Sequence, residues 1–157
     1  MFTGRYSHAC DSKGRLAIPA RLRESLRYEG ERSVFYVCRA PNDCLRMYTE
    51  REWDNVVKQV TSPNPDRSPE EALDNNRLLF SAVEKLGVDG QGRILLPGYL
   101  KDIAGITKDV MIIGMITFIE IWDKKKWDDF ESDKGPSFTW VAPKPSGGPP
   151  PSPQMTS

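Results

Sequence analysis

Histidine and cysteine are scarce in this chain of 157 residues, which has one histidine, His8, and three cysteines, Cys10, Cys38 and Cys44. The odd cysteine count and the lack of a C-x-x-C pair argue against a disulfide framework. A Cys3His zinc site would need all four residues, and their spacing matches no zinc motif, so we expect no metal. A histidine-based catalytic triad would depend on His8 alone, without a nucleophile motif beside it. We interpret the cysteines as small buried hydrophobic residues.

Long apolar runs are also lacking. The longest covers residues 110–119 and is interrupted by Gly114 and Thr117, whereas a membrane-spanning helix needs about 20 apolar residues. The first residues do not form the apolar stretch of a secretory signal. We therefore expect a protein that stays in the cytoplasm and has no membrane partner.

The sequence has no excess of either charge, since Lys and Arg number 22 and Asp and Glu number 22. The charges are nevertheless unevenly distributed, because residues 1–40 carry eight basic and four acidic side chains. This segment is locally positive on a neutral molecule, which favours contact with an anionic surface such as nucleic acid. An ordinary solvated helix face remains the simpler interpretation of Arg21, Arg23 and Arg27 when each is taken singly.

Prolines are concentrated in two segments. Residues 141–157 contain six of the 13 prolines, in a polar composition that cannot bury enough apolar surface to offset the entropy of ordering. We expect a Pro-rich disordered tail over residues 131–157. Residues 61–69 form a polar linker with three prolines, and Ser68 with Glu71 makes a capping box. Residues 61–82 are therefore predicted to be a linker and a connecting helix.

An internal repeat accounts for most of the remaining chain. Residues 11–19, DSKGRLAIP, match residues 89–97, DGQGRILLP, at an offset of 78 positions. Residues 43–54 match residues 117–128 at an offset of 74 positions, and a loop can absorb the difference. Two matched blocks in the same order indicate one structural unit used twice, over residues 1–60 and 83–130.

Each copy has the pattern of a small mixed unit. Residues 5–10 and 15–18 flank a four-residue turn with Asp first and Gly fourth, which predicts a β-hairpin. A short helix with an apolar stripe follows Pro19 or Pro97, and then come two apolar strands and a closing helix. One such unit cannot bury its sheet alone, whereas two can bury theirs against each other. The sequence therefore predicts an α+β fold, a pseudo-two-fold β-barrel with short flanking helices.

An Asp-x-x-Gly-Arg motif occurs in both predicted turns. The turn alone explains Asp11 and Gly14, but it does not require Arg15. A guanidinium at a hairpin tip is suited to contact phosphate or a guanine edge. A salt bridge from each arginine to its own aspartate explains the same pattern, and the sequence supports the two interpretations equally.

A catalytic interpretation depends on the two equivalent aspartates, Asp11 and Asp89, acting as an acid–base dyad. Aspartic proteases have glycine two residues after the aspartate, whereas here it lies three residues on. We therefore assign no catalytic residue, no cofactor and no small-molecule substrate.

Several short blocks, in order along residues 1–130, have the spacing of one known family. In the first half they are Phe2-x-Gly4, Asp11-Ser-Lys-Gly-Arg-Leu, Ile18-Pro19-Ala20 with Arg23, and Leu45-x-x-Tyr48 with Glu52-Trp53. In the second half they are Arg77-Leu-Leu, Asp89-x-x-Gly-Arg-Ile, Leu96-Pro97, Ala104-Gly105, Gly114 and Glu120-Ile-Trp122. Together these blocks resemble the MraZ family of bacterial transcriptional regulators.

The resemblance implies two AbrB-like swapped-hairpin repeats in each chain and ring-shaped homo-oligomers. It also implies binding to short direct repeats in the double-stranded promoter DNA of a cell-division and cell-wall gene cluster, and hence association with the nucleoid. The family's Asp-x-x-x-Arg DNA-binding motif corresponds to Asp11 with Arg15 and to Asp89 with Arg93. Gln91 replaces Lys13 in the second copy, so the second loop is less basic.

We therefore hypothesise a DNA-binding transcriptional regulator of its own gene cluster, without enzymatic activity. The motif arginines are expected to contact DNA, the aspartates to orient them, and the other basic residues to meet phosphates. The candidate DNA-binding residues are Arg15, Arg93, Lys13, Asp11, Asp89, Arg21 and Arg23. The alternatives are a ring-forming protein-interaction scaffold whose arginines only brace turns, and a carboxylate-dyad hydrolase.

Overall fold

The two halves of the chain have the same order of elements: strand, strand, helix, strand, strand, helix. A computed structural model describes residues 1–28 and 33–140. Its strands are β1 (Arg5–Ala9), β2 (Arg15–Ala17), β3 (Val34–Ala40), β4 (Cys44–Tyr48), β5 (Val83–Gly87), β6 (Arg93–Leu95), β7 (Asp109–Gly114) and β8 (Ile119–Asp123). Its helices are α1 (Ala20–Tyr28), α2 (Glu50–Thr61), α3 (Pro69–Phe80), α4 (Gly98–Ala104) and α5 (Lys124–Lys134). The capping box predicted at Ser68 and Glu71 is present at the start of α3, which connects the halves.

The first strand of each half pairs with the other half. An antiparallel six-stranded sheet has the order β1-β7-β8-β4-β3-β5, so β1 lies beside β7 and β5 lies beside β3. The halves also meet where β4 pairs with β8, with Arg46 opposite Glu120. β2 and β6 form a separate antiparallel pair, which we call the β2–β6 ribbon.

The α+β class is confirmed, but the predicted barrel is wrong. β1 and β5 are opposite edges of the six-stranded sheet, and no ladder joins them in the part of the chain described here. The reason is strand length, because β2 and β6 have three residues each and pair with one another. The first predicted hairpin is likewise limited to its turn: β1 and β2 form no ladder, and an isolated bridge joins Cys10, directly after β1, to Leu16 of β2. The AbrB-like assignment stays a prediction.

The main hydrophobic core lies between one face of the sheet, the ribbon, α1 and α4. Leu16 of β2 and Ile94 of β6 are buried there together with Leu22 of α1, Phe35 of β3 and Leu100 of α4. The apolar stripes predicted for the two short helices are thus confirmed. The ribbon is anchored to the molecule by its inward-facing side chains.

Two aromatic clusters cover the opposite face of the sheet. Trp53 of α2 stacks on Tyr36, with ring centroids 5.4 Å apart, and Trp127 of α5 packs edge-on against Trp122 at 5.4 Å. The connecting helix α3 buries less apolar surface than its sequence predicts. None of the residues of α3, all of which the structure describes, is buried, and Leu73 is 50% exposed.

The three cysteines are buried, as predicted. Burial raises the pKa of both Cys38 and Cys44 to about 12, so these thiols stay protonated near neutral pH. Within residues 1–28 and 33–140, no three His, Cys, Asp or Glu side chains are grouped so as to hold a metal ion. No helix in the same ranges combines the length and apolar character that crossing a bilayer requires.

The folded part of the C-terminus extends further than the sequence predicts. α5 continues to Lys134 and is followed by a 3-10 turn over Gly135–Ser137, and Glu131 is bonded to Arg5 of β1. The disordered tail expected from residue 131 therefore cannot begin there. Residues 141–157 lie outside the described part of the chain.

Deleting residues 138–157 is expected to leave the free energy of unfolding unchanged, because Phe138 and Trp140 are 77% and 87% exposed. Phe130→Ala is the matched comparison, since its ring packs 5.2 Å from that of Trp122. Phe130 is half-buried. We therefore expect Phe130→Ala to lower the free energy of unfolding by about half of the ~3–5 kcal/mol that a fully buried Phe→Ala change costs. Denaturant unfolding of the truncated protein and of Phe130→Ala measures the free energy of unfolding of each. A clear loss of stability on deletion would mean that the deleted aromatic residues dock on the core.

Candidate nucleic-acid interface

The β2–β6 ribbon presents both motif arginines on one face. Arg15 lies opposite Leu95 and Arg93 lies opposite Ala17, and the central pair, which includes Leu16, is buried. Because side chains alternate between the two faces of a strand, the four flanking residues share the outer face. The arginines are diagonal neighbours on this face, with Cα atoms about 7–8 Å apart.

Asp11 organises the turn before β2. Its Oδ1 accepts hydrogen bonds from the backbone N–H groups of Lys13 and Arg15, both at 2.9 Å. Its Oδ2 accepts a hydrogen bond from Nε of Arg15 at 2.6 Å. The turn closes with a bond from the Gly14 N–H to the Asp11 carbonyl, and Gly14 has a φ of 88° that favours glycine.

Asp89 organises the second turn in the same way. Its Oδ1 accepts from the backbone N–H groups of Gln91 at 2.8 Å and Arg93 at 3.0 Å, and its Oδ2 accepts from Nε of Arg93 at 3.1 Å. The side chains of Arg15 and Arg93 are 39% and 30% exposed. Both arginines are therefore held by an aspartate and still reach solvent.

In this geometry each motif arginine can form a salt bridge with its own aspartate and still contact nucleic acid. Each aspartate bonds only the Nε edge, and the described residues provide no other bond to the guanidinium of Arg15 or Arg93. A guanidinium has five N–H donors in a rigid fork, so Nη1 and Nη2 can bond a phosphate or a base edge. The aspartate then fixes the direction of the fork and reduces the entropy lost on binding.

Asp11 and Asp89 do not form a catalytic dyad. The ribbon strands are antiparallel, so the turns that precede β2 and β6 stand at opposite ends of the ribbon. Each carboxylate is bonded within its own turn. The hydrolase alternative therefore lacks the shared carboxylate site that it requires.

The pKa of both turn aspartates is lowered, chiefly by the backbone N–H bond from Arg15 to Asp11 and from Arg93 to Asp89. The unfolded pKa of an aspartate is about 3.9. A carboxylate with a lowered folded pKa stabilises the fold fully above the unfolded value and loses that contribution as the pH falls through the folded value. Both turns should therefore keep their ion pairs throughout the neutral and mildly acidic range.

Asp11→Asn is expected to lower the free energy of unfolding at neutral pH, with an effect that shrinks as the pH falls below about 4. At acid pH the parent side chain is itself neutral, so parent and variant become alike. Urea unfolding between about pH 2.5 and pH 7 measures the difference. Asp66→Asn, in the linker, is the control. A difference that does not change with pH would contradict a stabilising ion pair.

The remaining basic candidates occupy different positions. Lys13 and Arg21 are exposed. Arg23 is half-buried, and its Nε donates to the carbonyl of Ile18 at 3.0 Å. Its guanidinium lies against the second turn, where a Cβ added at Gly92 would be 2.5 Å from its Cζ. Arg23 therefore comes from the first half but supports the turn of the second half.

Leu95 also lies on the outer face, although no motif in the sequence singles it out. It is 57% exposed and pairs with Arg15 in the ribbon register. The signal was strand alternation, because a buried Ile94 requires its neighbour to point outward. The equivalent position in the first half is Ala17, so the two halves differ at this point.

Comparison with known proteins places this geometry in context. The sequence matches the family described as "MraZ protein, putative antitoxin-like" over residues 1–76 and 79–142. It is 39% identical over 145 residues to the protein named "Transcriptional regulator MraZ" from Acetivibrio thermocellus, which covers 92% of this chain and 96% of that protein. A protein of the same name from Heliobacterium modesticaldum is 40% identical over 144 residues, covering 92% of this chain and 96% of its own. Another, from Desulforamulus reducens, is 39% identical over 142 residues, covering 90% and 95%.

Proposed function

The chain belongs to the MraZ family, and from this premise we propose that it is a transcriptional regulator that binds double-stranded DNA through the outer face of the β2–β6 ribbon. The family is one of transcriptional regulators, which confirms the expectation that the chain is not an enzyme. The observation that carries the proposal is the placement of Arg15 and Arg93 on one exposed face of a two-stranded ribbon.

A two-stranded β-ribbon fits the major groove of B-DNA, and an arginine there makes a bidentate contact with the O6 and N7 atoms of guanine. The Nη atoms of Arg15 and Arg93 are proposed to make this contact. Asp11 and Asp89 orient the two forks. Lys13 and Arg21 meet phosphates, while Arg23 acts mainly by supporting the second turn.

One ribbon with two arginines makes few contacts, so we also propose that several chains act together. A ring-shaped homo-oligomer would present several ribbons at a fixed spacing, and simultaneous contact raises the overall affinity. Short direct repeats upstream of the protein's own cell-division and cell-wall gene cluster are the proposed target. The protein would then be associated with the nucleoid.

Gel retardation of a fragment from upstream of the protein's own gene tests the proposal. We expect the fragment to be retarded in the presence of excess scrambled competitor DNA. Light scattering on the same sample measures the oligomer. An oligomer that does not retard the fragment would overturn DNA binding and would favour the scaffold alternative, in which the aspartate–arginine pairs only brace the turns.

Lys13→Ala is expected to act mainly through salt dependence. A lysine that binds one phosphate releases about one counterion, so its removal should make the negative slope of log K against log salt shallower by roughly one for each phosphate that it binds. Lys125→Ala is the matched control, since Lys125 is exposed on α5, on the other side of the sheet. Affinity across a salt series measures both slopes. Equal slopes for the parent and Lys13→Ala would remove the phosphate contact from the proposal.

A further inference from the structure

We infer that Leu95 contacts the 5-methyl group of a thymine one or two base pairs from the guanine that Arg15 reads, so that one end of the ribbon recognises two base pairs together. This inference rests on the proposed function, since it concerns the ribbon face that is proposed to meet DNA. It adds a specificity-determining residue outside the Asp-x-x-x-Arg motif.

The position of Leu95 is well defined by its neighbours. Its Cα is paired with that of Arg15 across the ribbon, and its Cδ1 lies 3.7 Å from the point where a Cβ on Gly14 would stand. The side chain therefore leans toward the first turn and yet remains 57% exposed. An apolar surface thus lies directly beside the fork of Arg15.

Anchoring of β6 does not explain an outward-facing leucine. The core contact of this strand is made by Ile94, which is buried on the opposite face. A leucine side chain also has no donor for a phosphate oxygen. An apolar contact that forms only when a ligand covers the ribbon remains the function that suits this residue type.

Thymine provides the apolar group that such a side chain needs. In the major groove it presents a 5-methyl group, whereas guanine, adenine and cytosine present donors and acceptors that lose free energy when an apolar group covers them without a hydrogen bond. Directly opposite residues in a ribbon are about 4.5–5.5 Å apart, and successive bases along one DNA strand are about 3.4 Å apart. Leu95 and Arg15 therefore reach adjacent or next-but-one base pairs.

The first half of the chain has no equivalent contact. Its matched position is Ala17, which lies opposite Arg93. An alanine methyl group extends less far from the strand than a leucine side chain, so it contacts a thymine methyl group only where the backbone itself comes close to the groove floor. The stronger thymine contact is therefore expected at the Arg15 end of the ribbon.

The experiment compares two forms of the fragment from upstream of the protein's own gene, one amplified with dTTP and one with dUTP, which removes every thymine methyl group. Four proteins are titrated: the parent, Leu95→Ala, Leu95→Met and Leu73→Ala, the last being an equally sized deletion at an exposed leucine of α3. We expect the parent to bind the thymine form about fourfold or more tightly, the effect of burying one methyl-sized group. Leu95→Ala should bind both forms alike, while Leu95→Met and Leu73→Ala should keep the preference.

Two results would overturn the inference while leaving DNA binding intact. One is a parent protein that binds the thymine and uracil forms equally, a result that needs no variant to fold. The other is a Leu95→Ala protein, folded by circular dichroism, with the same thymine preference as the parent, since the preference would then arise from DNA stiffness or another residue. A parent that retards neither form would overturn the proposed function itself, and the role of Leu95 with it.

Discussion

Arg15→Ala is expected to weaken specific DNA binding more than any other single change in the ribbon, by about 1–3 kcal/mol for each guanine that the arginine no longer binds, or roughly 5- to 150-fold. Arg93→Ala should have a smaller effect. Lys13 stands in the first turn where Gln91 stands in the second, so the first turn offers the stronger attraction to the phosphates beside its guanine. Binding of operator and scrambled DNA by each variant measures the decrease in affinity.

Two further variants separate base recognition by Arg15 from charge and from folding. Arg15→Lys keeps the charge but loses the planar fork, so it should retain non-specific binding and lose the preference for the operator. Arg77→Ala removes an arginine of α3 that is also paired with an aspartate, Asp74, and should bind like the parent. If Arg15→Ala binds like the parent, Arg15 is a brace for its turn and the scaffold alternative gains support.

Glu120→Arg is expected to produce the largest loss of stability. Oε2 of Glu120 accepts a hydrogen bond from Nε of Arg46 at 3.0 Å, and its Oε1 accepts one from Nε1 of Trp122 at 3.2 Å. The side chains of Arg46 and Glu120 are 29% and 10% exposed. Breaking a buried pair costs about 3–5 kcal/mol, a large part of the ~5–15 kcal/mol that holds a typical domain folded. Urea unfolding measures the destabilisation.

The double exchange Arg46→Glu with Glu120→Arg is the matched control. These residues occupy equivalent positions in the two halves, 74 positions apart, and face each other where β4 pairs with β8. The exchange restores opposite charges across the same strand pair, so it should recover much of the stability that Glu120→Arg loses. If the double variant is as unstable as the single one, the hydrogen bond with Trp122 matters more than the ion pair.

Local structure was largely predictable from the sequence because its signals lie within a few residues. The Asp and Gly spacing predicted both turns, Ser68 with Glu71 predicted the start of α3, and Trp53 predicted the buried face of α2. Each of these signals acts through a hydrogen bond or a helical period that does not depend on the rest of the chain. The positions of Arg15 and Arg93 directly after these turns were predictable for the same reason, while their contact with DNA stays a prediction.

Strand pairing was not predictable, because the two halves offer similar partners. The same alternating pattern in β1 suits pairing with β2 of its own half or with β7 of the other, and only the complete packing selects β7. The sheet does not close into a barrel because β2 is short. The alternating pattern of a three-residue strand is too weak to predict where the strand begins and ends. The position of Arg23 was not predictable for the same reason: the packing of the two halves brings this residue of the first half against the turn of the second half.

The pairing of β1 with β7 also has a consequence for synthesis. In the strand register Arg5 of β1 is paired with Ile113 of β7, so β1 can pair with its own β7 only after Ile113 has left the ribosome. At about 5–20 residues per second, that delay is on the order of 5–20 s. During this interval β7 of a neighbouring nascent chain can satisfy the same backbone hydrogen bonds, which is the route to an exchanged dimer. We therefore expect exchanged dimers to be more frequent when translation is slow or when many chains are made side by side.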